Sequence, residues 1–235
     1  MHDTGNHADV EIWCVDLDID DALLASHTKI LDRSEKERAR RFRYPRDARR
    51  WSLARAALRK VLSEYTQIPP HEIHFDLEAN GKPRLGSTPV EIHFNLSHSQ
   101  DMALIGVTKL APLGVDIERL REIPDAEAIA KRFFTAGEVE AYRALPDEHR
   151  VRGFMNCWTR KESIIKATGA GLSVPLDSFE VSLDPRQPAR LLKSPAAVGD
   201  GRFWSLQHLD AAPHYVGAVA LRCITTPKIV LRCSS

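Results

Sequence analysis

Apolar and polar residues alternate from Glu11 to Ile19, the period of a half-buried strand. The period then changes. Leu53, Ala57, Leu58, Val61, Leu62 and Tyr65 recur every three or four residues and predict a long helix from about Pro45 to Tyr65. Pro45 and Asp47 suit its first turn, and Pro69-Pro70 stops the segment. Short β-like pieces follow at Ile73 to Leu77, Ile92 to Leu96 and Met102 to Thr108. Between them Asn80-Gly81 marks a turn, because both residues tolerate positive φ. Pro112 to Gly114 leads into a further strand, Val115 to Leu120.

The second half turns helical. Asp125 is placed to cap a helix over Ala126 to Phe134, and Thr135 with Glu138 has capping-box spacing for the next one. A third helix is expected from Asp147 to Thr168, with Gly169 as its C-terminal stop. Strands return at Ser178 to Leu183, Phe203 to Leu209 and Tyr215 to Cys223. This order predicts an α+β fold of two similar-sized halves, residues 1–110 and 111–235, which meet near Lys109 to Pro112 without a flexible linker.

Charge narrows the function. Lys and Arg number 33 against 32 Asp and Glu, so no global field draws the chain to nucleic acid or membrane. Any anion site must arise from local clustering. Apolar residues at 43% exclude wholesale disorder. Cys14, Cys157, Cys223 and Cys233 form no CxxC pair or metal-ligand spacing, and Met1 to Val10 lacks an apolar leader segment. Free thiols in a reducing cytoplasm are the expectation. No run approaches the roughly 18 apolar residues of a spanning helix.

Four constellations carry candidate chemistry. In Gly114-Val115-Asp116-Ile117-Glu118 the two carboxylates share one face of a strand. They repel unless a cation lies between them, and hard oxygen ligands suit Mg²⁺, although the same pattern also suits a solvated strand face. Asp16, Asp18, Asp20 and Asp21 lack the Gly and terminal Glu of a calcium loop. In Trp158 to Lys166, Glu162 falls on the apolar stripe Val151, Met155, Trp158 and Ile165, where a carboxylate needs a partner. Lys166 stands four residues on, the spacing of an ordinary helical ion pair.

In Phe94-Asn95-Leu96-Ser97-His98-Ser99, alternation puts Asn95 and Ser97 on one side of a strand end. Adjacent Ser and His rarely form a nucleophile and base, and no G-x-S-x-G elbow is present, so Ser97 and His98 read as anion contacts or as structural groups. Finally, Arg33 to Lys60 holds 12 Lys or Arg against three Asp or Glu. Arg38, Arg40, Arg41, Arg43, Arg46, Arg49 and Arg50 are dense enough to bind phosphates, though many suit a solvated helix face.

Together and in this order, the motifs resemble the Sfp-type 4′-phosphopantetheinyl transferases. The matching pieces are Gly81-Lys82-Pro83, Phe94 to Ser99, Gly114 to Glu118, Arg132-Phe133-Phe134, and Trp158 through Lys166 followed by Gly169-Ala170-Gly171-Leu172. They cover roughly residues 30 to 183. The resemblance implies two halves related by a pseudo-twofold axis, with coenzyme A in the cleft between them. It implies transfer of the phosphopantetheine arm to a serine of an acyl or peptidyl carrier protein, an acidic helical domain, with adenosine 3′,5′-bisphosphate as co-product. By match, Asp116, Glu118 and Glu162 would hold Mg²⁺, and Lys82, Ser97, His98 and Lys166 would contact phosphates. Arg38 would meet the 3′-phosphate, and Glu162 would double as the base. A monomer is implied. One position departs: Glu35 stands where the type member carries a second phosphate-binding lysine, leaving Lys36 or another arginine for that contact.

Two other classes share parts of the pattern. A Mg²⁺-dependent nucleotidyltransferase or pyrophosphatase could use the same carboxylates, but no Walker-type loop is present. A nucleic-acid-binding module could use Arg38 to Arg59, but the near-neutral chain and its carboxylate cluster argue against it.

Overall fold

The computed structural model describes residues 8–78, 80–88, 90–195 and 198–234. Strand β1 (Val10–Asp16) leads through the short helix α1 (Asp21–His27) to α2 (Arg33–Arg40) and the long α3 (Pro45–Thr66). A small hairpin, β2 (Phe75–Leu77) with β3 (Pro83–Leu85), precedes β4 (His93–Ser99), β5 (Met102–Thr108) and β6 (Leu113–Arg119). Helices α4 (Ala126–Phe133), α5 (Ala136–Arg143) and α6 (Asp147–Thr168) follow. The chain then runs through β7 (Glu180–Val181), β8 (Leu191–Lys193), β9 (Trp204–Leu209), β10 (Tyr215–Arg222) and β11 (Ile229–Ser234). The architecture is α+β.

Two sheets dominate. One has the order β11-β1-β5-β4, and the other β6-β10-β9. All their pairings are antiparallel except β1 with β11, which is parallel. Helix α3 covers one sheet with Leu53, Ala54, Leu58, Val61 and Leu62, which join Ile105 and Val107 in one core. The expected apolar stripe is therefore present, with Ala57 and Tyr65 only partly buried at its margin. Helix α6 covers the other sheet. A third core, including Ile12, Leu104, Val115 and Val219, lies between the two sheets.

Both long helices end as a physical reading of their termini requires. Gln67 closes α3 at φ 58°, and Gly169 closes α6 at φ 67°. The Thr135–Glu138 capping box is formed in full. Asp125 is a correction: it occupies the N-cap position of α4, but its backbone is left-handed and its side chain makes no capping bond. The strand expected from Ser178 to Leu183 shrinks to β7, because Leu176–Ser178 winds into a 3₁₀ turn. The polar start, residues 1–7, lies outside the described residues.

Helix α6 also departs from a one-sided stripe. From Gly153 onward it is buried almost all round, including Arg160 and Lys161, while Trp158, Glu162 and Lys166 are half-buried at intervals of four. Those three mark an open edge along that part of the helix. The helix lies very close to β6 at Gly114, where a Cβ would fall 2.0 Å from the Ser163 carbonyl oxygen and 2.5 Å from the Ala167 nitrogen. Both are backbone atoms of α6, so no side chain can swing aside.

Gly114→Ala is accordingly expected to cost at least about 3 kcal/mol in urea unfolding, at or above the usual range for overpacking. Gly81→Ala serves as a contrast. It meets open space at φ 79° and should cost only about 1–2 kcal/mol of left-handed strain. Equal costs at the two sites would remove the close-approach explanation.

Candidate functional site

The two sheets meet where β4 runs beside β6, and side chains rather than backbone join them. Asn95, Ser97 and Ser99 stand at alternate positions of β4 and so share a face. Asn95 Oδ1 accepts the Val115 N–H at 2.9 Å. Ser97 Oγ donates to Asp116 Oδ1 at 2.8 Å, and Ser99 Oγ donates to Glu118 Oε2 at 2.7 Å. Alternation in the sequence placed Asn95 and Ser97 together. It gave no role to Ser99, whose signal was the same period carried one step further.

Asp116 is buried at 5% exposure, and Lys166 from α6 donates to its Oδ1 at 2.6 Å. The lysine also reaches Ser97 Oγ at 3.0 Å and the Val115 carbonyl at 3.3 Å. The helical spacing of Glu162 and Lys166 suggested an ion pair between them; Lys166 pairs with Asp116 instead. The other oxygen, Asp116 Oδ2, is buried without a hydrogen-bond partner. Burial raises the Glu162 pKa above the usual carboxylate range, with repulsion from Asp116 and Glu118 adding to it and Lys166 opposing it. Burial raises Glu118 as well, and Asp116 adds to that, while the Ser99 hydrogen bond pulls it down.

Three mutually repelling carboxylates around an unpartnered buried oxygen are a donor set that suits a hard divalent cation. Among the described residues, no group of three or more His, Cys, Asp or Glu is gathered tightly enough to hold a metal ion as it stands.

A cavity of about 310 Å³ opens beside this cluster. Asn80, Gly81, Lys82, Pro83 and Asn95 line it from one side. Glu162, Ile165, Lys166, Gly169, Gly171, Val174 and Leu176 line the other. The turn at Asn80-Gly81 is pinned to the end of α6, since Asn80 Nδ2 donates to the Gly169 carbonyl at 2.9 Å. Lys82 Nζ donates to the carbonyls of Leu113 and Lys166 at 3.1 and 2.6 Å, and burial lowers its pKa. A larger hollow of about 550 Å³ lies between α5 and the β7–β8 hairpin, away from these groups. Volume does not identify the site; the chemistry selects the smaller cavity.

The remaining candidates divide. His98 is exposed on β4, and its pKa is pushed below the usual imidazole range by the protein around its ring and then by Lys166 and Arg50. Arg38 does not line the cavity. It lies on α2 with its guanidinium 5.4 Å from the Trp51 ring, in a separate surface hollow with Ser34, Glu37, Arg41 and Phe42. Glu35 now has a physical role: it is buried, completes a capping box with Asp32, and binds Arg55 and Arg59. Arg55 and Arg59 are thereby structural, and Arg49 and Arg50 pair with Asp21 and Asp101. Among the described residues, Arg38, Arg40, Arg41 and Arg43 form no ion pair and remain open to an anion.

Comparison with known proteins agrees across nearly the whole chain. Residues 112–220 match the model of the 4′-phosphopantetheinyl transferase superfamily, and residues 20–109 match that of the 4′-phosphopantetheinyl transferase N-terminal region. The 4′-phosphopantetheinyl transferase HetI of Nostoc sp. is 40% identical over 91% of this chain and 87% of that protein. The transferase Sfp of Bacillus subtilis is 38% identical over 63% of this chain and 65% of its own length. The L-aminoadipate-semialdehyde dehydrogenase-phosphopantetheinyl transferase of Homo sapiens is 34% identical over 80% and 66%, respectively.

The crowded carboxylates make a stability prediction. A raised folded-state pKa means that the native protein holds the proton more tightly than the unfolded chain. Glu162 therefore costs stability as pH rises above the ordinary carboxylate range, and the cost is complete above its folded-state value. In EDTA, Glu162→Gln should melt a few degrees above wild type at about pH 8, with the difference vanishing below about pH 4. Thermal melts across that range check the sign.

Proposed function

The chain belongs to the 4′-phosphopantetheinyl transferase superfamily, and on that premise we propose how its own residues carry out the transfer. The enzyme moves the 4′-phosphopantetheine arm of coenzyme A to a serine of an acyl or peptidyl carrier protein. In this reading adenosine 3′,5′-bisphosphate departs, and the reaction needs Mg²⁺. The observation that carries the reading is Asp116, a buried carboxylate with one oxygen unpartnered, set against Glu118, Glu162 and Lys166, of which Glu162 and Lys166 line a cavity.

Asp116, Glu118 and Glu162 would hold Mg²⁺, which when bound neutralises charge on the pyrophosphate oxygens as the bridging bond breaks. Lys82 and Lys166, which both line the cavity, would meet the same phosphates. A phosphate would add to the counter-charge that Glu78 already lends the buried Lys82. Ser97 and His98 complete the phosphate contacts at the end of β4. His98 would donate a ring N–H to a phosphate. Glu162 would accept the proton of the attacking serine, directly or through water, with its basicity lowered by the Mg²⁺ it also holds. Arg38, open on α2, would bind the 3′-phosphate.

Two halves, residues 1–110 and 111–235, related by a pseudo-twofold axis, are part of the same reading. It is supported by the two helices of 22 residues, α3 and α6, each laid on its own sheet and ended by a left-handed residue. β11 departs from the scheme, since it joins the sheet of the first half. The carrier is taken as an acidic helical domain, which suits the exposed Arg40, Arg41 and Arg43. The enzyme is read as a cytoplasmic monomer without nucleic-acid or membrane partners. Among the described residues, no helix is long and apolar enough to cross a membrane.

Intact-mass analysis tests the reaction directly. An apo carrier protein incubated with this chain, coenzyme A and Mg²⁺ should gain one phosphopantetheine, and EDTA should prevent it. Glu162→Gln should slow transfer by about 10²-fold or more at saturating Mg²⁺. Near-full turnover would remove Glu162 from both its roles. Calorimetry checks the 3′-phosphate: wild type should bind coenzyme A about 10- to 100-fold more tightly than dephospho-coenzyme A. Arg38→Ala should shrink that preference, and an unchanged preference would move the contact to Lys36 or Arg41.

A further inference from the structure

Lys166 borders two environments at once. Its ammonium lies among three oxygens, Asp116 Oδ1, Ser97 Oγ and the Val115 carbonyl, at 2.6, 3.0 and 3.3 Å. Its side chain also lines the cavity in which the phosphates are proposed to lie. The pair is well shielded, with the Asp116 side chain 7% and the Lys166 side chain 27% exposed. A divalent cation on the free Asp116 Oδ2 would therefore share one carboxylate with a resident ammonium. Two cations on one shielded carboxylate repel strongly. A pyrophosphate in the cavity offers the ammonium a second anion within reach of the same stem.

We propose that Lys166 is a tethered competitor for the divalent cation: it occupies Asp116 until the coenzyme A pyrophosphate draws it into the cavity, so that metal and coenzyme A bind cooperatively. This rests on the reading that Asp116, Glu118 and Glu162 take Mg²⁺. It adds an order to that reading, in which the metal site is weak alone and strong with its co-substrate. The lysine changes partners without changing charge. Linkage makes the coupling reciprocal, so the metal should tighten coenzyme A as much as coenzyme A tightens the metal.

Mn²⁺ binding, followed by the paramagnetic resonance signal of the free ion, tests this without any turnover. Wild type should gain affinity for Mn²⁺ by at least about 10-fold when coenzyme A is added, within the usual range for coupled sites. Lys166→Gln should bind Mn²⁺ at least about 5-fold more tightly than wild type in the absence of coenzyme A, and should gain less when it is added. Lys131→Gln is the control, because Lys131 is an exposed lysine of α4 that pairs with Glu127, away from the cavity and the three carboxylates. It should leave Mn²⁺ affinity within about 2-fold, the scale of a distant field rather than a shared ligand. Lys166→Met, which keeps the stem and drops the charge, serves the same comparison if circular dichroism shows that the Gln variant has unfolded. Unchanged or weaker Mn²⁺ binding by the Lys166 variants, with a coenzyme A-dependent gain in wild type, would overturn the competitor role and leave the metal reading standing. An equal gain from Lys131→Gln would overturn it too. Failure of wild type to hold Mn²⁺ even with coenzyme A would overturn both.

Discussion

A helix can approach a strand only as closely as the smallest residue between them allows. At Gly114 that residue has no side chain, and the backbone of α6 fills the place of its Cβ. The contact falls one turn from Glu162 and beside Lys166, the residues that face Asp116. The distance from a helical lysine to a strand carboxylate is thus set by a position that carries no functional group. Asn95 and Ser97 fix the other side of β6 by hydrogen bonds from β4. Asp116 is held from two directions, by Ser97 from β4 and by Lys166 from α6.

A second restraint acts through the interior. Lys161, the residue before Glu162, is fully buried and donates to Glu138 Oε2 at 2.8 Å. It also donates to the carbonyls of Leu176 and Phe179 at 2.7 and 2.5 Å. Glu138 in turn caps α5 and accepts the Val181 N–H at 2.8 Å. This brace ties the segment after α6, which supplies Val174 and Leu176 to the cavity wall, to the helix that supplies Glu162 and Lys166. Replacing such a network by apolar groups is often neutral for stability, so its physical contribution here is the fixed rotation of α6. With Lys161 locked inward, Glu162 must face the cleft.

The long helices, the capping box at Thr135 and most strands were legible in the sequence because each rests on local period or local chemistry. Lys82, Glu162 and Lys166 line one cavity, and Ser97 meets both Lys166 and Asp116, while among the described residues the three carboxylates are not gathered into a metal cluster. What the sequence hid depends on pairing at a distance. Glu35 looked like a misplaced charge in a basic run until Arg55 and Arg59 surrounded it. The Asp32–Glu35 spacing was a capping-box signal that the density of arginines obscured. Lys166 choosing Asp116 over Glu162 is a tertiary choice that helical spacing cannot decide. Strand β11 was missed because its partner lies at the opposite end of the chain.

That partnership bears on how the chain assembles. Asp9 and Lys228 are joined by a hydrogen bond that spans 219 residues, and β1 has β11 on one edge and β5 on the other. During synthesis, β11 emerges after every other described element, so β1 presents an open edge of backbone donors and acceptors until then. Closing so long a loop is entropically slow, and an open β edge is a template for pairing with another chain. The vulnerable period of this protein is therefore the interval between the exit of β1 from the ribosome and the arrival of β11, and chaperone demand should concentrate there.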